Sequence, residues 1–103
     1  MAKKPVVWTE TAVAQRRMIL KFWTEKTGNS NYSEKLLEII KERIKVIQAF
    51  PDSFIMCDFP GTRVSALGHF SIYYKVNKKE IIITAFWDNR QDPRKLIQLL
   101  QKP

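Results

Sequence analysis

Arg63, Lys75, Arg90 and Arg94 are the side chains of this sequence whose type and placement suit chemistry on a phosphate. Lys75 lies in Phe70-Ser71-Ile72-Tyr73-Tyr74-Lys75-Val76, and Arg90 and Arg94 follow Trp87 in Trp87-Asp88-Asn89-Arg90-Gln91-Asp92-Pro93-Arg94. Alternation along a strand turns residues 71, 73 and 75 to one face, and neighbouring strands are expected to bring Arg63 and Arg90 near it. Cations beside aromatic rings on a sheet suit stacked bases and phosphates. An RNA-cleaving site needs no metal for this: cations stabilise the charge growing on the phosphate while a base activates the 2′-hydroxyl. Arg63, Arg90 and Lys75 are therefore the candidate catalytic residues, and Tyr73, Trp87 and Arg94 the candidate target-binding ones. The competing reading makes Tyr73 and Lys75 a solvated sheet face, pairs Arg90 with Asp88 or Asp92, and places Trp87 in the core.

Other chemistry finds little support. A hydrolase triad needs a nucleophile, a base and an orienting acid. The sole histidine, His69, follows Gly68 in an expected turn, with no nucleophile elbow beside it. One cysteine, Cys57, permits no intrachain disulfide and no Cys/His metal site, and an inert packed thiol is expected. Neither a phosphate-cradling loop nor a dinucleotide fingerprint is present. No cofactor and no metal are expected.

The charge narrows the partners. Eighteen Lys and Arg stand against ten Asp and Glu, a net charge of +8, and the excess is spread over both halves. Such a surface speeds encounter with polyanions or acidic proteins. No apolar run approaches the ~20 residues that span a bilayer, and the N-terminus lacks the apolar stretch of a signal peptide. A cytoplasmic protein with no membrane partner is expected, folded as one domain over residues 1–103.

The elements that must position these residues can be read from periodicity. Pro5 to Trp8 reads as a short strand. Thr9 suits an N-cap for a first helix over about residues 10–26, with Ala12, Ile19 and Trp23 on one side and Phe22 beside them. Gly28-Asn29-Ser30 ends it. Asn31 and Glu34 resemble a capping box, and Tyr32, Leu36, Ile40, Ile44 and Ile47 mark the buried face of a second helix. Pro51 closes it, and the short connection implies an antiparallel helical hairpin. Residues 51–62 read as a loop. Strands follow at 63–67, 70–76 and 81–87, joined by turns at Gly68-His69 and Asn77 to Glu80. The last is apolar on both faces, so it should be central or fully covered. Asp92-Pro93 opens a short C-terminal helix, with Leu96, Ile97, Leu99 and Leu100 to bury. The order β-α-α-β-β-β-α predicts an α+β fold, with the N-terminal helical hairpin packed on a mainly antiparallel sheet.

Taken with that order, the segments Trp8-Thr9, Phe22-Trp23, Thr27-Gly28, Leu36-Leu37, Phe50-Pro51, Gly61-Thr62-Arg63, Phe70 to Tyr74 and Phe86 to Pro93 form a pattern. The chain resembles the RelE/ParE superfamily of bacterial type II toxins, and most of all its plasmid-stabilisation-type members. The resemblance implies a growth-inhibiting toxin held inactive by a cognate antitoxin in a hetero-oligomer, the antitoxin's acidic or amphipathic segment covering the working surface. It also implies one of two targets. RelE-like members are ribosome-dependent mRNA endoribonucleases, and ParE-like members poison DNA gyrase without being nucleases. Arg63 and Arg90 match basic positions of the RelE-like set. Ser71 stands where an arginine is common there, and no Tyr or His follows Tyr74. That departure favours the ParE-like action. The alternatives are RelE-like cleavage, or a non-toxic binding module that keeps only the antitoxin contact.

Overall fold

Thr9 starts the first helix as expected: its backbone is extended, and its Oγ1 accepts from the amide of Ala12 at 3.1 Å. The computed structural model describes residues 3–101, leaving aside the side chains of Pro93 and residues 99–101. Strand β1 (Val6–Trp8) leads through that cap into α1 (Glu10–Thr27). Gly28 ends α1 at φ 77°, a conformation that favours glycine, and its amide reaches the Thr24 carbonyl.

Helix α2 (Asn31–Ala49) begins differently from the expected capping box. The cap is Ser30, one residue earlier, so Asn31 already lies inside the helix. Asn29 Oδ1 instead accepts from the Asn31 amide, and the Ser30 hydroxyl donates to Glu34 Oε1. The tight turn after Gly28 leaves Asn29 aimed at the helix start, which sequence spacing does not reveal. The buried face runs through Leu36, Ile40 and Ile47 as expected, with Ile44 partly buried, but Tyr32, expected on it, is exposed and leans on Trp23 instead. The hairpin is tied by a 2.6 Å hydrogen bond between the Thr24 and Ser33 hydroxyls, and Ser33 also donates to the Leu20 carbonyl.

Residues 51–62, expected to be loop throughout, contain a two-residue strand β2 (Ile55–Met56). It pairs antiparallel with Val64 and Arg63. Ile55 and Met56 are too short a pair to show a period, so only their neighbour makes them a strand. The remaining strands are β3 (Arg63–Leu67), β4 (Phe70–Val76) and β5 (Ile81–Asp88), followed by α3 (Pro93–Gln101). The sheet order is β1-β5-β4-β3-β2, with β1 parallel to β5 and the other pairs antiparallel. The element order is the expected one with β2 added. Among the described residues, no helix is long and apolar enough to cross a membrane.

The register of β4 and β5 explains why β5 is apolar on both faces. Tyr73 pairs with Ala85 but Tyr74 pairs with Ile83, so Thr84 is an extra residue in a bulge. The bulge turns Ile81, Ile83 and Phe86 all toward the helical hairpin, where they join Phe70, Ile72 and Tyr74 in the main core. Ala85 and Trp87 face the other way, packed with Leu96 of α3. Ile97 is exposed, and the expected burial of Leu99 and Leu100 lies outside the described residues. Asp92 caps α3 as expected, its Oδ1 accepting from the Arg94 amide.

Candidate functional site

Strand β5 loses its parallel neighbour after Ile83, where β1 stops. Helix α1 takes over that edge: Gln15 Oε1 accepts from the Phe86 amide at 2.8 Å. A side chain seals the edge less completely than a strand, and a groove of about 490 Å³ opens between α1 and the end of β5. Its apolar wall comes from Met18, Ile19, Phe22, Trp23, Phe86 and Trp87. Two buried donors along it, Gln15 Nε2 and Trp23 Nε1, have no hydrogen-bond partner among the described residues. Buried donors usually find one, and leaving them bare costs about 1–3 kcal/mol each. Met18 is 71% exposed and Phe22 52% exposed, so large apolar side chains lie open at the rim.

The loop leaving β5 supplies the charge. The Asn89 amide donates to the His69 carbonyl at 2.8 Å, holding the loop against the β3–β4 turn. Asp88 then clamps Arg90: Oδ1 accepts from the Arg90 amide and Nε at 2.9 and 3.0 Å, and Oδ2 accepts from Nη2 at 2.8 Å. These hydrogen bonds hold the Asp88 carboxyl below its ordinary value, against a smaller opposing effect of burial. The same bonds raise the Arg90 guanidinium. Clamped in this way, Arg90 lies over the Trp23 ring, 5.3 Å from its centroid, and Lys26 lies over the same ring at 5.4 Å. Phe22 meets Trp23 edge-on at 5.3 Å and Tyr32 leans on it at 4.9 Å. Trp23 is thus the centre of a cluster drawn from both helices and the β5–α3 loop.

The sequence-derived site does not assemble as one. Arg63 pairs with Tyr74 and Asp88 with Phe70, so Arg63 and Arg90 stand near opposite ends of β4, about 13 Å apart along it. Arg63 is committed to its own neighbourhood: Nη1 donates to the Phe54 carbonyl at 2.7 Å and Nη2 pairs with Asp52 at 3.8 Å. Beside it, the Tyr74 hydroxyl donates to the Pro51 carbonyl, and burial pushes that phenol up to about 12. Arg63 therefore braces the segment after α2. Lys75 is exposed on the opposite face. The expectation that Arg63 and Arg90 approach the face of 71, 73 and 75 is corrected: the register turns Arg63 toward the hairpin, and Arg90 follows Asp88 to the same side.

The other expected residues divide between surface and core. Tyr73 is half-buried and packs against Ala85, Trp87 and Leu96, its phenol raised by burial and by Cys57 alongside. Trp87 is only 6% exposed, which supports its reading as core, although it also lines the groove. Ser71 is buried and hydrogen-bonded to Asn89 Oδ1 at 2.9 Å. Arg94 is exposed and held by Asp92, whose carboxyl it lowers by hydrogen bonding. His69 is exposed in its turn.

Trp23, Phe22, Tyr32, Lys26 and Gln15 are the residues that sequence reasoning did not assign to a site. The available signal was Phe22 beside Trp23: two adjacent aromatics cannot both face one buried stripe of a helix. Chemically, this end of the molecule offers an apolar groove, bare donors and a clamped cation. That combination suits holding another chain rather than turning over a small substrate.

Comparison with known proteins gives a consistent result. Residues 6–93 match the family described as ParE toxin of type II toxin-antitoxin system, parDE. A solved structure of the chromosomal ParDE TA system from P. aeruginosa is 26% identical, covering 82% of this chain and 94% of that chain, with a TM-score of 0.71. No curated protein matches the chain.

Proposed function

The chain belongs to the ParE toxin family and is the toxin component of a type II toxin–antitoxin system; from that premise we propose that it arrests growth by binding DNA gyrase, without cleaving RNA. A cognate antitoxin neutralises it by laying an acidic amphipathic segment into the groove between α1 and the end of β5. The observation that carries the non-nuclease reading is the separation of the cations. A phosphoryl-transfer site needs its cations aimed at one developing charge. Here Arg63 is held by Phe54 and Asp52, Arg90 by Asp88, and they lie near opposite ends of β4. Ser71, where an arginine is common in RelE-like toxins, adds no cation and is buried and bonded to Asn89.

Arg90 is the residue proposed for target contact, because its clamp fixes it at the groove mouth over Trp23. The antitoxin reading is supported by complementarity: the exposed groove is apolar, Lys26 and Lys95 border it, and the whole chain carries +8. A flexible acidic segment would order as it binds. The deciding experiment induces the chain without its antitoxin and follows thymidine and methionine incorporation together. DNA synthesis should stop first, and purified gyrase should lose supercoiling activity on addition of the chain. If protein synthesis stops first and mRNA is cut inside ribosomes, the gyrase reading is wrong.

A further inference from the structure

The opposite end of the sheet carries a second charged surface that the toxin reading does not use. Three segments meet there: the chain leading into β1, the β4–β5 turn, and the end of α2. The Ile81 amide donates to the Pro5 carbonyl at 2.9 Å, and Gln48 Nε2 donates to the Lys4 carbonyl at 2.7 Å. Lys4 Nζ reaches the Asn77 carbonyl at 2.7 Å, which joins the N-terminal segment to the turn directly. The turn itself is pinned by Asn77 Oδ1, which accepts from the amides of Lys79 and Glu80, both at 2.8 Å.

These bonds set Lys3 and Lys4 beside the turn that carries Lys78 and Lys79, with Lys75 at the end of β4 that enters it, and Glu80 is the single carboxylate in the same segments. Among the described residues, none of the five lysines forms an ion pair, whereas Lys21, Lys41 and Lys45 on the helices each pair with a glutamate. Asp52 lies in the segment after α2, toward the same end, and is occupied by Arg63.

We infer that this lysine pole binds the phosphate backbone of duplex DNA, independently of the groove. Protein interfaces are depleted in lysine and need a desolvated apolar centre. The pole offers four exposed or nearly exposed lysines around a polar turn. The half-buried Lys4 keeps donors free beyond its bond to Asn77. Lysine acts on a phosphate as a point charge, and releasing condensed counterions drives such binding. These segments hold no aromatic or arginine side chain, and Asn77 and Gln48 are engaged within the protein, so the contact reads the backbone and not the sequence.

The test is fluorescence anisotropy of a labelled 20-base-pair duplex of arbitrary sequence, titrated with the full chain at 50 mM and 200 mM salt. Binding through four or five phosphates predicts a fall in affinity of roughly 100-fold or more between the two. The K78E/K79E variant should lose at least ~10-fold at 50 mM, while K21E/K35E, with the same charge change on the helices, should lose much less. Thermal melts confirm that both variants fold. Equal losses in the two variants would reduce the effect to bulk charge and overturn the site. So would the absence of binding at 50 mM salt. Poly-glutamate displacing the duplex at matched charge concentration would assign the pole to an acidic protein instead. Tighter binding of a single strand or an RNA hairpin would overturn the choice of duplex DNA. A gyrase assay on K78E/K79E separates this inference from the toxin reading, since the groove and Arg90 are untouched in that variant.

Discussion

The two ends of the β4–β5 pair handle charge in opposite ways. Where β5 ends, two cations near the groove are held by side chains: Arg90 by the Asp88 carboxylate and Trp23, Lys26 by Trp23 and Phe22. At the other end the lysines project from a turn and a strand start, with solvent as the main partner of most. The first arrangement gives short-range, shape-dependent contacts, because carboxylate and ring fix where the cation sits. The second gives a long-range field that ions screen beyond ~8 Å at physiological salt. One positively charged chain can thus carry two differently built cationic surfaces, provided the sheet keeps them apart.

The sharpest way to break that comparison is to empty the groove floor. Phe86 is fully buried and stacks on Phe70 at 5.5 Å, so Phe86→Ala should cost about 3–5 kcal/mol in urea unfolding. A loss under 1 kcal/mol would mean that the groove end is not held by its apolar packing. Next in size is Arg90→Glu, which places a second negative charge beside Asp88. Growth inhibition should vanish while the circular dichroism spectrum and cooperative unfolding persist. Undiminished toxicity in that variant would remove Arg90 from the target surface.

A pH series sharpens the same contrast. Asp88 is held below its ordinary value of 3.8 by the Arg90 hydrogen bonds. A carboxylate with a depressed folded-state value contributes stability fully above its unfolded value and loses it as pH falls through the folded one. The wild type should therefore lose stability in acid below pH 3.8, and Asp88→Asn should flatten that part of the curve. An unchanged acid limb would show that the clamp contributes nothing to folding. The smallest effect belongs to the other end: K78E/K79E should move stability by less than about 0.5 kcal/mol, measured by urea midpoint, because exposed side chains away from the core hold little of the fold together.

Much of the fold was legible in the residues. The cap at Thr9, the stop at Gly28, the apolar stripe of α2 and the alternation in β4 are local signals. Each is set by hydrogen bonding or side-chain period within a few residues. The site was legible only in pieces. Arg90 and its pairing with Asp88 were visible as neighbours in the chain, but Trp23 lies far away in sequence, and nothing in the spacing of either residue announces the other. Arg63 looked equal to Arg90 as a functional cation. Its commitment to Phe54 depends on where the segment after α2 lands.

What the sequence determined by itself is the elements other than β2, their order, the basic charge and the family pattern, because each depends on residue type and short-range period. What only the tertiary structure decided is which side chains meet. The bulge at Thr84 places Phe86 toward the hairpin. The early stop of β1 leaves an edge that Gln15 seals and a groove opens beside. The bond from Lys4 to Asn77 gathers distant lysines at one pole. Those outcomes depend on strand register and on contacts between residues 70 or more positions apart, and a slip of one residue would turn every side chain to the other face.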